Sequence, residues 1–537
     1  MEMRQPPPPG LMQRMGAALQ RAGARLAGAV LQPQGGHAPA PADDGRAGAP
    51  PQPTARRSYA AAQVNRLTEG WSTISLSANA DVHASVDALR ARSRQLARDN
   101  PHWRKYLTMV RDNVVGPSGF VLQARVYDEA GRPDRLANEA IERAWAQWCV
   151  RGLCEITGKH NFASLQKTII STAARDGEFL VRIVRGAAAG PWGYALQLLD
   201  IDRLDTGYNR APAGGQAAIR MGVEIDDYGR PVAYHLRTRH PGDIYTAAGQ
   251  AEARRERVPA ADIIHGYIAD RPEQLRGVPW GHASMLTLAS LAGYQEAAIV
   301  NARAGAAKMG FFTTPDGQAE TLADAKGEGG ELYMDMDAGS LQSLPPGVEF
   351  TAFTPEYPAQ MYRDFVQGTL RDVATGLCVA YHSLANNLEG VSFSSIRSGT
   401  LEERDAWMVL QGWFMSELLD PIYREWLSTA LAMGQVTLPN GSPLPLSKSE
   451  KFSAHTWQGR RWEWVDPLRD IQADLEAIRA GLKAPQAVAA KMGQDYEDVV
   501  ASIAQAAQLA QQAGVPLAWM TPPAPAATTA AAAEAEP

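Results

Sequence analysis

Two cysteines and a histidine form the first candidate metal site in the sequence. Cys149 and Cys154 are five positions apart, and His160 follows them. A zinc knuckle needs cysteine pairs separated by two residues and a second pair of ligands, and the sequence has neither. We therefore expect two buried thiols near the end of a helix and no metal site.

Asp200, Asp202 and Asp205 form a second candidate, because their spacing resembles a calcium-binding loop. The third acid is one position late, and the glycine and closing glutamate of such a loop are missing. These acids are better explained as turn residues at the end of a strand.

Catalytic motifs are absent from the sequence. There is no Gly-x-x-x-x-Gly-Lys-Ser/Thr phosphate loop, no His-Glu-x-x-His and no Gly-x-Ser-x-Gly; the segment 116–119, Gly-Pro-Ser-Gly, is one residue too short. The 10 histidines are scattered, so no nucleophile and base pair is evident. We predict no catalytic residue, no cofactor and no enzymatic activity.

A polar, glycine-bearing loop at 378–394 separates two helical patterns. Loops between rigid elements often carry function, because the scaffold positions them without burying their backbone. This loop offers neutral hydrogen-bonding side chains and one carboxylate, Glu389, and no lysine or arginine occurs until Arg397. It is therefore suited to brief contacts with a ligand and not to tight binding of an anion.

Composition limits the possible functions further. The chain has 537 residues, 45% of them apolar, which predicts two to three packed units. Its 52 basic and 58 acidic side chains give a net charge of −6, so a general electrostatic grip on nucleic acid is not indicated. Three cysteines fit a reducing compartment, and no apolar run is long enough to predict a membrane span.

The two ends of the chain are rich in Pro, Ala and Gly, and we expect 1–57 and 515–537 to be disordered. Within the leader, Leu11 to Val30 has the pattern of an amphipathic basic helix. It is either a marginal helix in a disordered segment or a docking helix for a partner protein.

A mixed helix and strand pattern follows. Val82 to Asp112 reads as one helix, with Arg90, Arg94 and Arg98 spaced four apart. Aspartates interleave with them, which favours a solvated or intersubunit face over a nucleic-acid contact. Periodicity then predicts a strand at Phe120–Val126, helices at Leu136–Trp148 and Phe162–Asp176, and strands at Glu178–Val184, Tyr194–Leu199, Met221–Ile225 and Pro231–Arg237.

The segment 282–308 predicts a helix made largely of small residues. In a monomer it would be a buried core helix, and a ring of closely packed helices needs the same composition. Short strands are predicted at Glu331–Met334, Ser340–Leu344 and Gly347–Phe350, followed by a helix at Tyr357–Leu377, a long helix from Ser394 to Asp420-Pro421, and a compact all-helical module at 466–514. The fold class is α+β.

Several separated motifs, taken in order, resemble the lambda-type bacteriophage portal proteins, ring proteins through which viral DNA enters and leaves the capsid. The motifs are Leu89–Arg94, Asn113–Pro117, Arg276–Gly281, Asn387–Arg397 and Trp457–Arg460 with Trp464–Pro467. The resemblance implies a subunit with an α+β wing at 58–281 and 395–465, stem helices at 282–308 and 357–377, a strand-rich clip at 309–356, a tunnel loop at 378–394 and an all-helical crown at 466–514.

The resemblance also implies sites and partners. A dodecameric ring would surround double-stranded DNA and contact the large subunit of the terminase motor, the major capsid and scaffold proteins, and the head-completion connector proteins. It would lie at the portal vertex of the virion after assembly in the host cytoplasm. The alternatives are a non-viral ring or adaptor scaffold and, last, a soluble hydrolase. The implied DNA-facing residues are His382, Asn386, Asn387, Glu389, Ser392, Ser394 and Arg397, and the implied stem interface contains Ala297, Ala298, Ala302 and Arg303.

Overall fold

The computed structural model describes residues 62, 66, 68–243, 254–306, 359–390, 392–462 and 467–515, together with four short strands between 310 and 352. The chain divides into two compact units, Met1–Ile74 and Ser75–Pro537. The elements below belong to the second unit. The predicted leader helix at 11–30, the predicted strand at 340–344 and Asp466, the first residue of the predicted all-helical module, lie outside the described residues.

Long helices dominate the second unit. The helices are α1 Ala78–Asp99, α2 Pro101–Val110, α3 Arg135–Trp148, α4 Phe162–Asp176, α5 Met285–Ala306, α6 Ala359–Gly376, α7 Tyr381–Ala385, α8 Phe393–Phe414, α9 Asp420–Ala432, α10 Ser449–Phe452, α11 Pro467–Arg479, α12 Pro485–Lys491 and α13 Tyr496–Ala513. A five-residue π-helical turn, Arg111–Val115, extends α2, and a second one, Met415–Leu419, joins α8 to α9.

The strands are short and pair antiparallel. They are β1 Val121–Ala124, β2 Glu178–Arg185, β3 Tyr194–Leu199, β4 Ala218–Arg220, β5 Val223–Ile225, β6 Pro231–Arg237, β7 Arg255–Pro259, β8 Ile263–Tyr267, β9 Gly310–Thr313, β10 Ala325–Lys326, β11 Leu332–Tyr333, β12 Glu349–Ala352 and β13 His455–Gln458. One sheet has the order β3-β2-β8 and another β4-β5-β6-β7, while β1 pairs with β13, β9 with β12, and β10 with β11. The α+β prediction is confirmed.

An aromatic cluster marks the main core, where residues distant in sequence meet. Trp145 and Trp148 of α3 pack on Trp426 of α9, with ring centroids 4.8 Å apart for Trp145 and Trp426. Phe162 at the start of α4 and Tyr423 of α9 complete the group. The segment after the predicted loop thus packs back on the first half of the chain, as a two-part wing requires.

The predicted helix from Val82 to Asp112 is two helices. Asn100 ends α1 and caps α2, because its Oδ1 accepts hydrogen bonds of 3.0 Å from the backbone N–H groups of His102 and Trp103. Pro101 then occupies the first turn of α2, where its missing N–H costs nothing. In the same way, Pro421 lies in the first turn of α9.

The interpretation of the α1 arginines as a solvated face is wrong for two of the three. Arg90 is 1% exposed and binds Glu178. Arg94 is partly buried and binds Asp176 at 2.9 Å. Their partners lie more than 80 residues away along the chain, so the local charge pattern carried no sign of them.

Both thiols of the Cys149 and Cys154 pair face the protein interior. The Cys154 Sγ lies 3.7 Å from the backbone carbonyls of Cys149 and His160. Burial raises the pKa of Cys149 and raises that of Cys154 to about 12, so both remain protonated thiols near neutral pH.

The three helices of the crown segment form as predicted, but the compact core does not. Among the described residues 467–515, Asp474 alone is buried. The apolar residues of α11 and α13 therefore remain exposed on the subunit.

Candidate nucleic-acid-facing loop and assembly surface

The predicted loop is shorter than the sequence indicated. His382 to Ala385 belong to α7, and Asn386 ends this helix in the left-handed conformation, with φ of 51°. Leu384 is buried on the inner side of α7. The irregular residues that the structure describes here are 386–390 and Ser392, and His382 lies half-buried on the short helix before them.

Asn387 shapes the turn. Its Oδ1 accepts a 2.9 Å hydrogen bond from the backbone N–H of Glu389, and its Nδ2 donates to the Tyr381 hydroxyl at 3.3 Å. Ser392 then caps α8 by accepting from the backbone N–H of Ser395 at 3.2 Å. Both ends of the loop are thus fixed by its own polar side chains.

The base of the loop is anchored to α8. Glu403 accepts from the backbone N–H of Ala380 at 3.2 Å and from the Trp407 indole at 3.1 Å. The Arg371 guanidinium of α6 lies 5.4 Å from the Tyr381 ring centroid. These contacts attach α7 to α6 and α8 and so fix the start of the turn that follows at Asn386.

The charges of the loop are locally matched. Glu389 forms an exposed ion pair with Arg363 of α6. Arg397 does not join the loop, because its guanidinium binds Asp470 of α11 at 3.0 Å. The surface of the loop is therefore close to neutral, and Asn386, Leu388 and Ser392 are its exposed side chains outside the ion pair. Ser394, which was predicted to belong to the loop, is exposed in the first turn of α8.

The two predicted stem helices pack side by side. Tyr294 of α5 stacks on Tyr362 of α6 with centroids 5.6 Å apart, and it meets Phe365 edge-on at 4.9 Å. The first two turns of α5 are buried through Met285, Leu288 and Leu291. Beyond Leu291 the helix leaves the core of the subunit.

The outer part of this helix pair is apolar and exposed. Ile299 and Val300 are 58% and 57% exposed, and Met361 and Phe365 are 74% and 54% exposed. Ala297, Ala302 and Arg303 are exposed as well, and Ala298 is half-buried. Apolar residues that cover an exposed helix pair are typical of a surface that another protein chain covers.

Glu178 is the centre of a buried ion network that the sequence did not reveal. Its carboxylate accepts from Arg276 Nε at 2.8 Å and from the backbone N–H of Gly277 at 3.0 Å, and it lies 2.8 Å from His265 Nε2. Arg90 completes the group. Arg276 and Arg90 hold the pKa of Glu178 well below its usual range despite its burial, and burial lowers the pKa of His265.

The Arg276–Gly281 motif is therefore structural. A Cβ on Gly277 would lie 2.1 Å from the backbone oxygen of Gly177, and one on Gly281 would lie 2.1 Å from the Trp103 ring. The motif lets the chain cross α4 and α2 at close range while Arg276 reaches Glu178. In the sequence, the one feature that could have predicted a buried Arg276 is its position in a segment of glycine, proline and tryptophan residues.

Gln411 links two more of the sequence motifs. Its Nε2 lies within hydrogen-bonding distance of the carbonyls of Asn113 and Val114 at 3.2 Å and of Arg460 at 3.0 Å. Trp462 donates to the Asn113 side chain at 3.1 Å. Segments almost 350 residues apart are joined at this buried amide.

Asp200, Asp202 and His240 form the one acid and histidine group within the described ranges that is close enough to hold a cation. Arg94 already donates to both aspartates, at 3.2 Å for Asp200. The cluster is thus explained as an ion-pair network. Among the described helices, none combines the length and apolarity needed to cross a membrane.

Comparison with known proteins agrees with the motif pattern. The family model described as phage portal protein, lambda family, matches residues 64–411. The chain is 31% identical over 483 residues to the probable portal protein of Halomonas phage phiHAP-1, covering 88% of this chain and 91% of that protein. It is 24% identical over 480 residues to portal protein B of Escherichia phage lambda, covering 84% and 89%.

Solved structures add a more distant similarity. A chain in the virion of a native gene transfer agent particle shares 13% identity, with a TM-score of 0.39, covering 78% of this chain and 99% of that one.

Proposed function

The chain belongs to the lambda family of phage portal proteins, and we propose that its copies close into a ring, with twelve subunits expected, at the portal vertex of the capsid. Double-stranded DNA passes through this ring during packaging and again during ejection. The observation that carries the proposal is the apolar, exposed surface of α5 and α6 in a chain of this family. A subunit that stayed monomeric would leave this surface in water.

The parts of the subunit take the roles that the family resemblance implies. The elements α1–α4, β1–β8, α8–α10 and β13 are the wing, and α5 and α6 are the stem. The strands between 310 and 352 belong to the clip, which contacts the terminase motor and later the head-completion proteins. The motor supplies ATP hydrolysis, and the portal itself is structural.

We assign the segment 386–392 to the wall of the channel. Its neutral surface and its position between the stem helix α6 and the long helix α8 support this assignment. Neutral amides and hydroxyls exchange hydrogen bonds with phosphates and water at little net cost, so DNA can slide past them. A basic loop would instead gain salt-dependent affinity with each phosphate contact.

The first test is the shape of the purified assembly. Negative-stain images and native mass measurement are expected to give closed rings with a central hole. A monomer at the micromolar concentrations used for imaging would contradict the proposal. Rings that support no DNA packaging with a lambda-type terminase would favour the alternative, an adaptor scaffold outside a virion.

The second test adds one positive charge per subunit at the loop. Leu388 is 62% exposed, whereas Asn387 holds the turn, so Leu388→Lys changes the charge with the hydrogen bonds of the loop retained. A ring of cations around the duplex would add phosphate contacts and slow DNA movement, most strongly at low salt. We expect packaging to slow several-fold in 50 mM salt and to recover as salt rises.

Leu388→Gln is the matched control, since it removes the same apolar side chain and adds no charge. Both variants should form normal rings. Packaging rates of Leu388→Lys that equal those of Leu388→Gln across the salt series would show that the loop does not face DNA.

A further inference from the structure

The crown helices carry an apolar stripe that is largely exposed among the described residues of the subunit. Leu468, Ile471 and Leu475 follow one face of α11, and Leu482 continues the spacing beyond its end. These residues are 72%, 42%, 47% and 84% exposed in that order. Ile478, which completes the apolar spacing, is half-buried, so four of the five residues of the stripe face solvent.

The crown is joined to the rest of the subunit mainly by polar contacts. Asp470 binds Arg397 at 3.0 Å, and Asp495 binds Arg125 at 2.8 Å. A cleft of about 450 Å³ opens between the start of α13 and the β1 strand. The wing orients the crown, but it does not cover the stripe.

Helices of this length need tertiary burial. α11 has 13 residues and α12 has 7, and isolated helices shorter than about 12–15 residues are marginal in water. The buried residue of α11 is Asp474, which Lys483 and Lys491 bind. A hydrogen-bonded carboxylate does not replace a core, so the described residues of the subunit leave this stripe without an apolar partner.

We propose that the stripe of α11 packs on α13 of the neighbouring subunit, so that the crown core forms only between copies. The inference rests on the proposed ring, in which every subunit has a neighbour on each side. α13 exposes Val500 and Ile503, which lie three residues apart on one face and are 45% and 46% exposed, and these side chains supply the complementary apolar surface.

Charge supports this occupant. Residues 495–515 contain Asp495, Glu497 and Asp498 and no lysine or arginine. From 474 to 491 the acids Asp474 and Glu476 face three bases, Arg479, Lys483 and Lys491, so this segment has a net charge of +1. Packing α11 of one subunit on α13 of the next brings a net negative helix towards a net positive segment, which favours one register over others.

Crosslinking tests the contact directly. Leu475→Cys and Ile503→Cys are combined in a Cys378→Ser background, because Cys378 is the exposed native cysteine. A short bifunctional maleimide should convert assembled rings into a ladder of covalent oligomers on a denaturing gel. Ala473→Cys with Ile503→Cys is the control, since Ala473 lies on the opposite face of α11.

A ladder from the first pair with none from the control is the expected result. A crosslink confined to single chains, or equal ladders from both pairs, would overturn the proposal. Hydrogen exchange gives an independent measurement, with slow exchange of α11 and α13 amides expected in rings and fast exchange in subunits dissociated by dilution. Equal exchange in both states would show that the crown is complete in one subunit or is covered by another partner.

The two proposals fail in different ways. Absence of rings in the wild-type protein would remove both the portal ring and the shared crown core. Normal rings in which α11 and α13 exchange as fast as in subunits would leave the ring in place and remove the crown proposal alone.

Discussion

Replacing Glu178 with alanine is expected to lower the free energy of unfolding by about 3–5 kcal/mol, the usual cost of removing one partner from a buried ion network. Glu178 is fully buried and is shared by Arg90 and Arg276, which are 1% and 0% exposed. Without the carboxylate, the buried Arg276 guanidinium loses its ion pair, and Arg90 keeps a 4.0 Å ion pair with the exposed Asp87. Urea denaturation at fixed protein concentration measures the change.

Glu256→Ala is the matched control. Glu256 pairs with Arg182 at 2.8 Å, but its side chain is 42% exposed, so its loss should cost at most about 1 kcal/mol. If Glu178→Ala were no more destabilising than Glu256→Ala, the buried network would not hold the wing together. Size-exclusion chromatography of both variants separates subunit unfolding from failed assembly.

The same network predicts the direction of pH dependence. The folded-state pKa of Glu178 is depressed below its ordinary value of 4.5, so its contribution is present above that pH. It is lost progressively as the pH falls below about 4.5 towards the folded-state pKa. Glu178→Gln should remove this contribution, so the wild type should lose more stability than the variant across that pH window.

Local patterns predicted α4 well because every signal for it lies inside the segment. Asn161 caps its start and Gly177 ends it in the left-handed conformation, with φ of 92°, and the helix has the predicted bounds Phe162–Asp176. The hairpin strand Pro231–Arg237 was also predicted with its observed bounds. Where caps, period and turn residues agree, the sequence is sufficient.

Distant partners decided the elements that the sequence did not predict. The Arg90 face was read as solvated because Glu178 is 88 residues away. The start of the loop became helix α7 because Leu384 is buried and Glu403 binds the backbone of Ala380. Neither contact leaves a trace in local periodicity, which records only neighbours on the same element.

In the candidate site, too, local features were predictable and distant contacts were not. Asn386, Asn387 and Glu389 lie in one polar turn, and Ser392 caps the helix that follows it. Arg397 leaves this group through its ion pair with α11. The sequence alone gives the residue types of a loop, and the family resemblance gives the expected ligand. Only the geometry of the subunit shows which of these side chains are exposed and which bind another part of the chain.

The assignment of α5 to the stem predicts a large effect of larger side chains on ring assembly. Ala297 and Ala302 are exposed in the subunit, so leucine at either position should leave the subunit folded. In a ring, the same side chain meets a neighbouring helix whose approach depends on small residues. Overpacking costs roughly 1–3 kcal/mol per site, and a closed ring repeats that cost at every interface.

We therefore expect Ala297→Leu and Ala302→Leu to be folded subunits that fail to form rings at concentrations where the wild type is fully assembled. Light scattering after size-exclusion chromatography measures the assembly, and circular dichroism confirms the fold. Ala146→Leu, at an exposed alanine of the wing helix α3, makes the same change away from the stem and should assemble normally. Normal rings from both stem variants would mean that α5 does not line a subunit interface, because a close helix contact cannot absorb three added carbon atoms at each of its repeats without shifting.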